Sequence, residues 1–307
     1  MRRLGCWIFF LLVACTWAAS AARIVCTTTI VGDVVGRVAG GSHELTVLLP
    51  VDADPHAFEP TPQDLVAIAR ADIVFLSGAG LETGLEPFLE NTTTPMIRLS
   101  DGLDLLHPED PDEEEGHHDQ EEDDHHHAGV DPHVWFDPTY VMSWVDRIAE
   151  TLVDLDPNDE AGLRARAAAY RSELEALDAW IEEETNRLPE ERRLLVTDHD
   201  VFGYLARRYD FRLVGTVLPG LSSIAEPSAR EVAALEEAIV ALGVPAVFVG
   251  TTVNRTLADR IASDTGTRVI ALYTGSLSAE DGPAATYLDL LRFDVQTIVD
   301  ALSEAAT

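Results

Sequence analysis

Apolar residues along this chain fall into two alternating patterns, short continuous runs and longer stretches with one apolar face. RIVCTTTI (23–30) reads as a strand and GDVVGRVAG (32–40) as a short helix. ELTVLLP (44–50) is the next strand. Thr61 and Pro62 then supply an N-cap and first helical residue for a helix running to Ala71. IVFLSG (73–78) reads as a buried strand, GLEPFLEN (84–91) as helical and MIRLS (96–100) as another strand. The alternation restarts at LLVTD (194–198), followed by VFGYLARRY as helix and RLVGTVL as strand. SAREVAALEEAIVALG, AVFVG, NRTLADRIASDTG and RVIALY continue it, and YLDLLRFDVQTIVDALSEA closes it as a helix. Elements of this size in this order call for α/β lobes, with parallel sheets flanked by helices on both faces.

One long helical pattern separates the two halves. Asp156 and Pro157 can start it, and it runs to about Leu188. Leu163, Ala167, Tyr170, Leu174, Leu177 and Ile181 recur at three- and four-residue steps as one apolar stripe. Some thirty residues at 1.5 Å each span about 45 Å, enough to cross a whole domain. The expected organisation is a signal peptide over 1–21, an N-terminal lobe over 22–155, a rigid linking helix over 156–188 and a C-terminal lobe over 189–307.

The net charge of −33 sets the chain against nucleic acid and anionic membrane surfaces and in favour of cations. Its densest acidic point lies at 109–124, with eleven carboxylates and neither Lys nor Arg. Removing those acids still leaves −22, so the acidity is global. The same segment, within a loop over 107–127, carries His117, His118, His125, His126 and His127, and it cannot bury enough apolar surface to fold alone. It is internal and interleaved with acids, which argues against an affinity tag.

At the N-terminus, Arg2 and Arg3 precede the apolar run CWIFFLLVAC, an export signature too short for a stable membrane span. Leu12-Val13-Ala14-Cys15 reads as a lipoprotein box that would leave Cys15 acylated. Ala19-Ser20-Ala21 reads equally as an ordinary signal-peptidase site. Either places the mature chain outside the cytoplasmic membrane, in the periplasm or, with Cys15 lipidated, on the outer face of that membrane. Only Cys26 survives both cleavages, so any metal must be held by His and carboxylate.

Two segments echo one another, DPHAFEP (54–60) and DPHVWFDP (131–138). In each, Asp-Pro stiffens a turn that presents a histidine. His56 follows the strand at 44–50 and His199 follows LLVT, and ligands of open parallel sheets bind beyond the carboxyl ends of strands. With His133 they make a three-imidazole set suited to a borderline divalent ion, above all Zn(II). His43 has no such context and reads as a surface residue.

At these residues the chain resembles the cluster A-I family of metal-binding ABC-transporter substrate-binding proteins, the zinc-uptake and adhesin-like lipoproteins. The likeness runs through VCTTTIVGDVVGRVAGG, VLLPVDADPHAFEPTPQDLVAIARADIVFLSGAGLE, DPHVWFDP, TDHDVFGYLARRYDF, AEPSAREVAALEEAI and TTVNRTLADRIASDTG. It implies two lobes joined by a long helix, a metal held between them and delivery to a permease in the cytoplasmic membrane. His56, His133 and His199 fall on the first three ligand positions. Manganese-type members often carry Glu at the third, so His199 tilts the reading to zinc. A fourth ligand is often the Asp of Tyr-x-Asp-Ser-Leu, but this chain reads Tyr273-Thr274-Gly275-Ser276-Leu277. Water, Glu280, Asp281 or a side chain of the 107–127 loop are then candidates. Zinc-uptake members also frequently carry a His- and acid-rich insert just ahead of the second ligand, where it would collect metal weakly at high local concentration.

The resulting expectation is a non-enzymatic, monomeric receptor that captures Zn(II) as transported ligand. The same fold selective for Mn(II) or Fe(II) is the first alternative. A zinc hydrolase is the second, since three histidines plus water is also a catalytic arrangement. No H-E-x-x-H supplies it with a base.

Overall fold

The computed structural model describes residues 21–89, 91–107 and 129–304. Two four-stranded parallel sheets, each covered by helices, make the two lobes expected. The first contains β1 (Arg23–Cys26), β2 (Glu44–Val47), β3 (Ile73–Leu76) and β4 (Met96–Arg98) in the order β2-β1-β3-β4. The second contains β5 (Leu194–Thr197), β6 (Arg212–Thr216), β7 (Ala246–Gly250) and β8 (Arg268–Leu272) in the order β6-β5-β7-β8. The two sheets share one winding, which puts equivalent strand ends on the cleft between them.

The first strand is shorter than its pattern suggests. β1 stops at Cys26 because the Thr28 hydroxyl accepts the Val31 amide and caps α1 (Thr29–Ala39). Thr61 forms a full capping box with Asp64 at the start of α2 (Pro62–Arg70). A single helical turn, α3 (Glu86–Leu89), follows β3. The sequence pattern missed one helix, α4 (Pro138–Leu155), whose cap is Asp137 and whose apolar face includes Val141, Trp144, Val145, Ile148 and Leu152. The long helix, α5, covers Glu160–Thr185. It starts later than read because Asp156 caps a separate 3-10 turn at Pro157–Asp159, so α4 and α5 form a helical hairpin. The C-terminal lobe adds α6 (Gly203–Tyr209), α7 (Ala229–Leu242), α8 (Thr256–Thr265) and α9 (Tyr287–Ser303).

Strand alternation sorts the core into three regions. Ile24, Cys26, Ile73 and Phe75 face inward, as do Leu195, Ala246 and Phe248 of the other sheet. Together with α1, α4, α9 and the stripe of α5 they form one apolar cluster that runs through both lobes. Val25, Val74 and Leu76 face out under α2, and Val196, Val247 and Val249 face out under α7 and α8. Trp135, Trp144, Tyr204 and Tyr287 are fully buried in the shared cluster and are among its largest side chains. Polar contacts add to this join. The Tyr287 hydroxyl donates to the Trp135 carbonyl at 2.7 Å and the Tyr287 amide to Asp33 at 3.0 Å. Among the described residues no helix is long and apolar enough to cross a membrane.

Candidate metal centre

Each histidine of the expected set is held by an aspartate close to it in sequence. After β2, Asp54 accepts the His56 amide at 2.9 Å and so fixes the 3-10 turn Pro55–Ala57. Asp131 does the same for the second frame, accepting the His133 amide at 2.9 Å, and its Oδ1 also lies 2.8 Å from His133 Nδ1. After β5, Asp198 Oδ1 accepts the His199 amide at 2.7 Å and lies 2.8 Å from His199 Nδ1. Its Oδ2 accepts the Gly250 amide at 2.7 Å, tying that turn to the end of β7. A carboxylate on Nδ1 selects the tautomer whose Nε2 carries a free lone pair.

Those Nε2 atoms converge. His56 Nε2 and His133 Nε2 are 3.0 Å apart, and the three ring centroids are separated by 5.1 to 5.4 Å. All three candidate ligand atoms lie within 4.8 Å of one another. His199 Nε2 is buried with no hydrogen-bond partner, an arrangement that costs free energy unless something electrophilic meets it. In a tetrahedral site with bonds near 2.0–2.1 Å, nitrogens stand about 3.3 Å apart. The His56–His133 separation needs to open by only a few tenths of an ångström to admit an ion.

Electrostatics favour the neutral, ligating form. Burial and then the neighbouring His133 and His199 lower the His56 pKa to about 3. Burial, followed by His199, also holds His133 well below the usual imidazole value. Burial pushes the Asp131 carboxyl up to about 7, and burial with Asp131 beside it pushes Asp200 to about 6. Access is one-sided, because His133 and His199 are 1% and 3% exposed whereas His56 is half-buried.

The family described as zinc-uptake complex component A, periplasmic, matches residues 24–301. The chain belongs to this family. Its relatives include the manganese-binding lipoprotein MntA of Halalkalibacterium halodurans, 32% identical over 92% of this chain and 89% of that one. The iron-binding protein YfeA of Yersinia pestis is 29% identical over 92% of this chain and 86% of its own. Among solved structures, the periplasmic zinc-binding protein TroA of Treponema pallidum superposes with a TM-score of 0.82 at 26% identity, covering 93% of this chain and all of that one. A manganese-bound periplasmic metal-binding protein from Candidatus Liberibacter asiaticus gives 0.78 at 25%, over 91% of this chain and 98% of its own. As a member of the zinc-uptake family, this chain is the metal-binding component of an ABC transporter. It acts outside the cytoplasmic membrane with a membrane permease and is not an enzyme. The hydrolase alternative finds no support.

The structure brings together His56, His133 and His199. Gly275 does line the small cavity at the imidazoles, with Pro55, Thr252 and Thr274. A Cβ there would meet Pro55 Cδ at 2.8 Å, so the DPH turn occupies the space a side chain at 275 would need. Glu280 and Asp281 are exposed and join no ligand group among the described residues. His43 is half-buried rather than a surface residue, with Nδ1 facing the Ala22 amide at 3.4 Å. His117, His118, His125, His126, His127 and the export segment lie outside the described residues. Sequence reasoning missed the orienting role of Asp131 and Asp198, although the Asp two positions or one position before each His was the available signal.

Proposed function

We propose that the three imidazoles bind the transported ion and that this ion is Zn(II). The observation that carries the reading is the ligand set itself: three imidazole nitrogens converge, and no carboxylate joins them among the described residues. Borderline ions high in the Irving–Williams series accept such a set, whereas Mn(II) gains more from carboxylate oxygens and Fe(II) stands lower in the series. The fourth position is then assigned to water or another exogenous ligand on the Gly275 side, the alternative being a side chain of the 107–127 loop, most of which lies outside the described residues. Manganese or iron is the second reading, favoured by the manganese-binding and iron-binding names of MntA and YfeA.

Competitive calorimetry on the purified chain decides between them. Zinc is expected at one equivalent and more than about a hundredfold tighter than manganese. Tighter manganese binding would overturn the choice of ion while leaving the site in place. The protein is further proposed to work as a monomer, to be checked by sedimentation.

A further inference from the structure

Resting on the metal-capture reading, one further element bears on how the ion is kept. We propose that residues 217–223 form a strap across the cleft and that Ser223 is a positioning residue which gates exchange of the ion. The strap runs alongside the His199 turn: the Val217 amide donates to the Thr197 carbonyl at 2.9 Å and the Leu218 amide to the Asp198 carbonyl at 2.7 Å. The Asp200 amide donates to the Gly220 carbonyl at 2.9 Å, so both neighbours of His199 are bound to this segment. It then crosses to the other lobe, where the Ser223 hydroxyl donates to Asp54 Oδ2 at 2.5 Å. Asp54 Oδ1 is the acceptor that shapes the His56 turn. One carboxylate therefore joins a ligand turn of the N-terminal lobe to the loop that borders the ligand turn of the C-terminal lobe. Asp52, Thr29 and Trp135 cross the cleft elsewhere, onto residues 274–277.

His133 and His199 are closed off by the core, so an ion enters and leaves past the half-exposed His56. Swinging the His56 turn aside requires Asp54 to let go of Ser223. The Ser223–Asp54 bond is formed with the three imidazoles already gathered, so it raises the barrier in both directions. A gate of this kind changes rates and leaves the equilibrium alone.

Stopped-flow capture of Zn(II), and its transfer to excess chromogenic chelator, test this on the whole chain. Ser223→Ala is expected to speed both capture and release by about tenfold, the scale of one hydrogen bond to a carboxylate, with affinity within about threefold of the parent. Ser223→Thr, which keeps the hydroxyl, should restore slow exchange. Rates for S223A within twofold of the parent overturn the strap. So does a loss of affinity with unchanged capture, which marks a merely structural residue. If His56→Ala still holds its full equivalent of zinc, the site reading fails and the strap fails with it. Normal stoichiometry in the parent and loss in H56A, with unaltered S223A rates, sink the strap alone.

Discussion

At the scale of single residues, His56 and His133 are imidazoles kept neutral by their surroundings. His56 sits at about 3 through burial and two neighbouring rings, against about 6.5 in an unfolded chain. Between those values the unfolded state binds a proton that the folded state refuses. The contribution of His56 to stability is therefore full above pH 6.5 and is lost as the pH falls from there towards 3. His56→Gln cannot titrate, so the parent should lose about 1–2 kcal/mol relative to it between pH 6.5 and 5, read from urea melts of the metal-free proteins. An equal pH dependence of the two would show that His56 is not held neutral by the fold. The histidines themselves were legible because the DPH frame occurs twice and His199 follows an apolar run. Their aspartate partners lie one or two residues away and were within reach of the same local pattern, whereas the crossing from Ser223 to Asp54 depends on side chains meeting over 169 residues of chain, which no local pattern encodes.

Among the elements, α5 carries the join between the lobes. Leu163, Tyr170, Leu174, Leu177 and Ile181 are all buried in the cluster that also holds residues of both sheets. Leu174→Ala should cost about 2–5 kcal/mol, and calorimetric unfolding should remain a single transition at a lower temperature. Two separated transitions would mean that the lobes have independent cores. The stripe of α5 was readable from its three- and four-residue steps. α4 was not, because DPHVWFDP drew attention to its histidine while its second Asp-Pro is the cap and first residue of that helix. The early end of β1 was hidden in a similar way, since Thr27, Thr28 and Thr29 suit a strand as well as they suit a cap.

On the scale of the whole molecule, charge is the dominant feature. All 21 basic residues are arginine, with no lysine, and 54 acids oppose them. Self-repulsion of that size weakens the compact state at low ionic strength, and salt screens it beyond a few ångströms. The melting temperature of the metal-free chain should therefore climb by more than about 5 °C between 0.05 and 2 M KCl; a flat or falling trend would refute this. The two-lobed α/β fold was legible because strand and helix periods alternate cleanly in both halves. The shared central cluster was not, since residues far apart in sequence build it.

Zinc K-edge absorption on the purified chain, with and without residues 109–127, measures the proposed centre most directly. Three imidazole nitrogens at about 2.0–2.1 Å, with one equivalent of zinc in both forms, is the expected result. Fewer than three imidazoles around the ion, or loss of that equivalent when the acidic segment is removed, would contradict it.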